Sequence, residues 1–480
     1  MFNFKQVVIL IFLFSLTFLP RLYKINNPIA DWHSWRQADT AAVSRNFIKE
    51  GLDLLYPKFD SFFVLNESGA PNPKRYFFAE FPIYNLLVYP FYKFLGVKEI
   101  YARLVSVLVA SLTSVFLYLL VRRYSSERVA ILTAMFFALL PFNIYYGRVV
   151  MPDPLHIFFS IASLYFISLW LEKKNSYWVF IAGLVFAGAL LTKPYVLVLG
   201  LPIGYLLWRN WKLELIKQSS LYIFLLTAFL PFLWWRWHIN QHPEGMFGTS
   251  WLFNQGDIRF KGAFFRWLIF ERMNRLIFAT GGFVLFILGI IQGRKQKEGY
   301  FYLFWLVAVL TFFVIIAKGN VTHDYYQLPL VPIGCILMAK GFEFLAMYGR
   351  GLWARIINFS LGIGLVLIML AFGWYETRGF FNINHPEIVE AGREVDRLLP
   401  ADAKVIAPYQ SDSAFLYQTN RYGWTVGGNL IPEFIKEGAT HLVSVDFDED
   451  TRHWMDACEI IEKTDKWVII NLQACQKEET

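Results

Sequence analysis

The sequence predicts a polytopic α-helical membrane protein of about 11 transmembrane helices, carrying a small C-terminal extracytoplasmic α/β domain. Composition and the pattern of basic loops predict it. Of the 480 residues 56% are hydrophobic and only 17% charged, with a mean hydropathy of +0.40. A soluble domain is about 25% charged, so most of this chain is solvated by lipid or by itself. The formal charge of +8 is spread over short clusters between apolar runs rather than gathered in one stripe. That pattern belongs to membrane topology, so membrane lipid is an expected partner and nucleic acid is not.

A spanning helix needs about 20 mostly apolar residues. Runs of that kind fall near 5–20, 101–121, 128–146, 154–171, 177–192, 194–208, 220–236, 276–292, 300–317, 325–345 and 353–375. The first begins the chain, and no small-x-small cleavage pattern follows it, only Pro20-Arg21-Leu22-Tyr23-Lys24; it is read as a retained span. The segment Phe81–Leu95, apolar but rich in Pro and Tyr, is placed at the interface.

With the N-terminus inside, alternate loops are short and basic. They are Arg122-Arg123-Tyr124-Ser125-Ser126-Glu127-Arg128, Glu172-Lys173-Lys174, Arg209 to Lys217, Arg294-Lys295-Gln296-Lys297 and Arg350 to Arg355. This positive-inside pattern predicts an integral plasma (inner) membrane protein with a cytoplasmic N-terminus. The long first loop (21–100), the 237–275 loop and the tail are then extracytoplasmic. Two domains are expected: a transmembrane domain over 1–376, and a soluble α/β domain over 377–480. In the latter, Pro386–Leu399 has helical spacing, short strand-like runs lie at Lys404–Ala407, His441–Val445 and Trp467–Asn471, and a helical stretch lies near Ile431–Glu437. Three cysteines are too few for a disulfide scaffold. Cys335 sits in an apolar run, and Cys458 and Cys475 in the tail are either a pair or two free thiols.

Chemistry-bearing residues collect at the outer ends of the spans. The first outer loop carries Asp31-Trp32-His33-Ser34-Trp35-Arg36-Gln37-Ala38-Asp39. Ala38 to Phe47 fits an amphipathic helix lying on the membrane with Ala42, Val43 and Phe47 down. Asp39 near its start is either a dipole-favoured cap or, beside His33 and Arg36, a functional carboxylate. Arg148 and Asp153 flank the start of a span, as a structural ion pair or as substrate contacts. Lys193 either snorkels or meets a phosphate. His323 and Tyr325 open the tenth span. Arg259, Lys261, Arg266, Arg272 and Arg275 are an outer basic excess that suggests an anionic ligand or headgroups. No P-loop, zinc spacing, GxSxG or HExxH motif is present, which argues against ATP-driven pumps and common hydrolases.

These motifs, in this order, resemble the GT-C superfamily, specifically its family-39-like branch of protein O-mannosyltransferases and the lipid A aminoarabinose transferase. The resemblance covers about residues 1–375 and is carried by four features. They are His33-Ser34-Trp35-Arg36-Gln37-Ala38-Asp39-Thr40 with Arg45-Asn46-Phe47, Glu80-Phe81-Pro82-Ile83-Tyr84-Asn85, Arg148 to Asp153, and Leu191-Thr192-Lys193-Pro194 with Tyr325-Tyr326-Gln327-Leu328-Pro329. Known members have an Asp-Glu pair in the first outer loop; aligning on Arg45 puts Arg36-Gln37 there, leaving Asp39 as the carboxylate, with Asp31 in reserve.

The resemblance implies a GT-C-like fold and an inverting transfer of a hexosyl or pentosyl group from a polyprenyl-phosphate-linked sugar to an outer-face acceptor, be it protein, lipid or glycan. Asp39, helped by Glu80, is the expected general base. His33, Arg36, Arg148, Asp153, Lys193, His323, Tyr325, Arg259 and Lys261 are expected to bind substrate, the cations among them meeting the leaving phosphate. No cofactor is expected, although Asp39 with Glu80 offers oxygen ligands to a divalent ion. The competing reading is a transporter or flippase of a lipid-linked or anionic substrate, which would place ionisable groups near the midplane on broken helices.

Overall fold

A computed structural model describes residues 3–62, 71–293 and 295–475. Arg294 of the fourth basic loop lies outside the described residues, as do 63–70 of the first outer loop and 476–480 of the tail. The chain divides into two compact units. One comprises Met1–Ile25, Arg103–Trp237 and Thr249–Gly379; the other comprises Asn26–Ala102, His238–Gly248 and Phe380–Thr480. These units run differently from the sequence division at 376/377, because the first outer loop groups with the tail.

The first unit makes this an integral multi-pass membrane protein. Helices Phe4–Leu22, Glu99–Tyr124, Asp153–Lys173, Ser219–Ile239, Leu330–Met347 and the run opening at Leu352 are long and apolar enough to cross a membrane. Gly262–Ile277 and Gly281–Ile291 pass the same test together but are bent by 115°, and Ser176–Thr192 and Phe301–Ile315 are shorter apolar helices. Close approach at the centre depends on glycine. A Cβ at Gly289 would come 1.8 Å from the Leu337 carbonyl oxygen, and one at Gly341 would come 1.9 Å from that of Leu285. Helices 281–291 and 330–347 therefore pack backbone to backbone, as small residues permit in lipid.

Four expected spans are interrupted, one of them the 325–345 run, which opens as a 3-10 turn, Asp324–Gln327, before helix Leu330–Met347. The 128–146 run is two helices, Glu127–Leu139 and Pro141–Tyr146. Pro141 has no N–H to continue the ladder, and it pushes Leu140 to extended backbone (φ −61°, ψ 115°). The carbonyls this leaves are met by buried Arg21, whose guanidinium donates to Ala138 O (3.1 Å), Phe137 O (3.3 Å), Asn143 O (3.1 Å) and Thr17 O (2.7 Å). A side chain thus supplies what lipid cannot. The 194–208 run opens as a 3-10 turn, Pro194–Leu199, before Gly200–Trp211. The 276–292 run is broken after Ile277, the end of a π-helix, and resumes as a helix at Gly281, after Ala279 and Thr280 take positive φ (49° and 53°).

The ion pairs of this unit fall into two groups. One ties the basic loops and the N-terminal helix together. Arg123 pairs with Glu172, Lys5 lies 3.6 Å from Glu127, and Lys295 lies 2.9 Å from Glu343, which also accepts from Ser126. Arg209 donates to the Gln296 and Lys297 carbonyls, and buried Lys340 pairs with Glu298. The other comprises Lys193 with Asp153 and Arg272 with Asp324.

In the second unit, the tail forms a five-stranded sheet in the order β2-β1-β3-β5-β4, with β1 Lys404–Ile406, β2 Tyr422–Trp424, β3 His441–Ser444, β4 Cys458–Lys463 and β5 Val468–Cys475. β1 runs parallel to β2 and β3, while β5 is antiparallel to β3 and β4. Ile406, Trp424, Phe434, Leu442, Val468 and Ile470 are buried in its core. Helices Pro386–Leu398 and Ile431–Lys436 match the spacing of their apolar residues. The sequence reading missed β2, β4 and helices Ala414–Gln418 and Glu449–Ala457. Cys458 and Cys475 face each other across β4 and β5 and form a disulfide. The first outer loop extends the sheet at its β2 edge: Phe62 N donates to Gly423 O, and Gly423 N to Asp60 O.

Candidate active site

The sequence-predicted residues fall into two clusters, one in each unit. In the second unit the centre is helix Ser34–Lys49. It starts four residues earlier than its apolar spacing suggests, because His33 adopts left-handed backbone (φ 55°) and ends the preceding turn. Two expectations fail as a result. Asp39 lies in the second turn and is no cap, and every residue from Arg36 to Phe47 is buried, so this is not a helix with one face on lipid. Its polar residues are instead matched one by one. Helix Ile83–Leu95 presents Asn85, whose amide donates to Thr40 O (2.7 Å) and Ser44 Oγ (2.9 Å). Arg45 pairs with Asp60 and donates to Tyr417 O. Gln37 donates to Asp31 at 2.7 Å.

Arg36 and Glu80 form a buried ion pair at 2.5 Å, with the guanidinium also over the Phe77 ring. This explains why a carboxylate at position 80 accompanies an arginine at 36: each neutralises the other in a site with little water. Glu80 and Asp31 are therefore committed to neighbours. Asp39 is differently placed. It is 5% exposed, and burial pushes its carboxyl up to about 7, with Asp412 and Asp60 adding to that push while a Ser413 hydrogen bond and Arg36 oppose it. A carboxyl held there changes its charge near neutral pH.

The tail supplies residues that sequence reasoning missed. Asp412 accepts from Ser34 Oγ (2.9 Å) and Ala414 N (2.7 Å), and Ser413 Oγ donates to Trp35 O (3.0 Å). Burial also raises the Asp412 carboxyl, and His33 acts against that rise. Trp32 stacks on Phe380 with ring centroids 4.9 Å apart. The Ser411-Asp412-Ser413 run is the signal that was there to read, but nothing local tied it to a loop 370 residues away.

The first unit holds the cations. Arg148 is fully buried and donates to Lys24 O at 2.6 Å. Lys193 ends helix Ser176–Thr192 and lies 3.7 Å from Asp153, the first residue of helix Asp153–Lys173. Its side chain is only 12% exposed, so snorkelling is excluded. Its ammonium sits 5.7 Å and 5.9 Å from the ring centroids of Tyr325 and Tyr326. His323 stacks on Tyr325 at 5.2 Å. Asp324 accepts from Tyr146 and lies 4.0 Å from Arg272. Lys193 and Arg272 thus each face a carboxylate at 3.7 Å and 4.0 Å, with aromatic rings beside the ammonium.

Arg259 does not join this cluster through any described contact. Its guanidinium donates to Phe253 O (2.8 Å) and Ile315 O (2.6 Å), and Lys261 is exposed. Among the described residues no group of three or more His, Cys, Asp or Glu is disposed to hold a metal ion.

Residues 80–237, which include Glu80, Arg148, Asp153 and Lys193, match the family of dolichyl-phosphate-mannose-protein mannosyltransferases. An uncharacterized protein of Aquifex aeolicus is 27% identical over 284 residues, 58% of this chain and 62% of that protein. The chain therefore aligns with less than two thirds of that relative's length. The structure of ArnT from Cupriavidus metallidurans bound to undecaprenyl phosphate superposes with a TM-score of 0.64, at 13% identity over 97% of each chain. The Archaeoglobus fulgidus oligosaccharyltransferase in complex with zinc and sulfate gives a TM-score of 0.57, at 10% identity over 91% of this chain and 67% of that one. AglB of the same organism, in complex with an inhibitory peptide and a dolichol-phosphate, gives 0.53, at 11% identity over 92% and 69%. Residues 80–237 are thus similar to the protein mannosyltransferase family, and the chain as a whole shares the fold of ArnT.

Proposed function

We propose that the chain is an inverting glycosyltransferase that moves a sugar from a polyprenyl-phosphate donor to a hydroxyl-bearing acceptor on the extracytoplasmic face. The observation that carries this reading is Asp39, a buried carboxyl poised near pH 7. In the proposed step Asp39 accepts the acceptor hydroxyl's proton, the freed oxygen attacks the anomeric carbon, and the carbon–oxygen bond to phosphate breaks on the opposite side. The lipid phosphate leaves as an anion, a charge for which Lys193, Arg148 and Arg272 are the candidate cations. Asp153 and the Tyr325 ring hold the Lys193 ammonium in position, and Arg36 and Glu80 fix one side of Asp39's helix.

The outer-face location is supported by the Cys458–Cys475 disulfide, which persists in oxidising compartments. It is also supported by the mutual contacts of the basic loops and the N-terminal helix, as expected of a cytoplasmic end. The test is transfer from a radiolabelled polyprenyl-phosphate sugar in proteoliposomes. Asp39→Asn should abolish transfer with folding preserved, and full transfer by that variant removes Asp39 from the role. A transporter or flippase would instead move the labelled lipid across the bilayer with the sugar still attached.

A further inference from the structure

Of the outer basic excess noted in the sequence, Arg272 lies beside Asp324 and Arg275 pairs with Glu271 and Glu376, whereas Lys261 and Arg266 have a different setting. They lie on the segment that precedes the 115° bend, and that segment presents a combination unusual for a water-facing surface. Helix Gly262–Trp267 continues as a π-helix over Leu268–Ile277. Phe264, Leu268, Met273, Leu276 and Ile277 on one side are buried. The other side exposes Phe265 (41%), Ile269 (41%) and Phe270 (57%), and Phe260 just before it is 78% exposed.

Cations are interleaved with these rings. Lys261 and Arg266 are exposed and have no ion-pair partner among the described residues. Arg259 is fixed by its two carbonyl contacts, which hold the turn in front of the helix. The reversal at Ala279 and Thr280 then turns the chain into Gly281–Ile291, where a Cβ at Gly281 would come 2.0 Å from Leu365 O. The segment is thus set at a steep angle to an apolar helix of the bundle. Its outward face matches the two layers that a helix parallel to a bilayer meets, acyl boundary for the rings and phosphate for the cations.

We propose that the Ile258–Ile277 segment docks on the anionic phospholipid headgroups of the leaflet it faces, with Phe260, Phe265, Ile269 and Phe270 in the acyl boundary and Lys261 and Arg266 on headgroup phosphates. This replaces the expectation that Lys261 and Arg259 bind substrate, and it stands apart from the proposed chemistry at Asp39 and Lys193. It gives Lys261 and Arg266 a role without a second substrate site: charge density at the interface is offset by lipid.

Two measurements test it on the full chain in nanodiscs of phosphatidylglycerol and phosphatidylcholine. Cys335 is buried and the other two cysteines are bonded to each other, so Phe265→Cys creates one reactive thiol for an environment-sensitive fluorophore. Spin labels near the lipid headgroups should quench that fluorophore and aqueous iodide should not; quenching by iodide alone overturns the proposal. Each cation near an anionic surface is worth about a factor of five in partitioning. Lys261→Gln with Arg266→Gln should therefore lower the preference for retaining phosphatidylglycerol over phosphatidylcholine by up to about thirtyfold, read by mass spectrometry of bound lipid. An unchanged preference overturns the charge half. Loss of added polyprenyl phosphate with phosphatidylglycerol unaffected would give these cations to the carrier, and the proposal falls.

Discussion

The two ion-pair groups of the helical unit are built from the same residue types and differ in how closely they are paired. Among the basic loops Arg123 has Glu172, Lys295 has Glu343 at 2.9 Å, and Lys340 has Glu298. Around Lys193 the pairs are longer, 3.7 Å for Lys193–Asp153 and 4.0 Å for Arg272–Asp324, and aromatic rings stand beside the ammonium. A closely paired set is what packing alone requires of charges removed from water. A set held at longer range has electrostatic energy still to gain from an incoming anion.

The sharpest way to exploit this contrast is at the base. Asp39→Asn should lower transfer by about 10²–10⁴-fold, read as kcat with the donor saturating. The same variant should gain stability above pH 7. The Asp39 carboxyl is held above its usual value, so its ionisation disfavours the folded state progressively as pH rises from about 4 to about 7. Removing that penalty is worth on the order of 4 kcal/mol at most, measured by denaturation in detergent at pH 8 against pH 4.5, where the gain should shrink to about 1 kcal/mol.

Breaking the looser set comes next. Lys193→Gln should lower kcat/KM for the donor by about 10²–10³-fold, and because it leaves Asp153 buried without that cation it should lower the unfolding temperature as well. The closely paired set should lose stability alone. Lys340→Met leaves Glu298 buried without its cation and should cost about 3–5 kcal/mol with little change in kcat/KM at permissive temperature. Adding Glu298→Leu should restore most of that stability, and a failure to restore it would mean the pair is not a closed unit.

Smaller effects sharpen the base assignment. kcat/KM should fall tenfold per pH unit below about 7, because Asp39 must be ionised to accept a proton. Asp412→Asn removes a like charge that raises Asp39, so that limb should move to lower pH by a fraction of a unit.

Much of the architecture was legible locally. Six of the apolar runs and the periodicity of Pro386–Leu398 follow from the nearest residues alone and appear as continuous helices. Breaks within spans were harder to read, since Pro141 interrupts a run whose hydropathy is continuous. The interruption is tolerable only because Arg21, some 117 positions earlier, reaches the freed carbonyls. The helix at Ser34 was misjudged at its start and on its faces. Amphipathic spacing presumes one wet or lipid side, whereas this helix is enclosed by Ile83–Leu95, the 58–60 strand-like run and the tail.

What the sequence by itself determined is the class of solvent for each stretch and the chemical types on offer. Hydropathy and charge follow from composition over a window, and need no fold to act. Only the tertiary structure decided which acid would stay unneutralised. Asp31, Glu80 and Asp39 are equivalent as letters, but Gln37 occupies the first and Arg36 the second, while Asp39 is left among Ser413, Asp412 and apolar neighbours. Burial and partner choice are pairwise properties across hundreds of residues, so a carboxyl's working pKa exists only once the chain has folded.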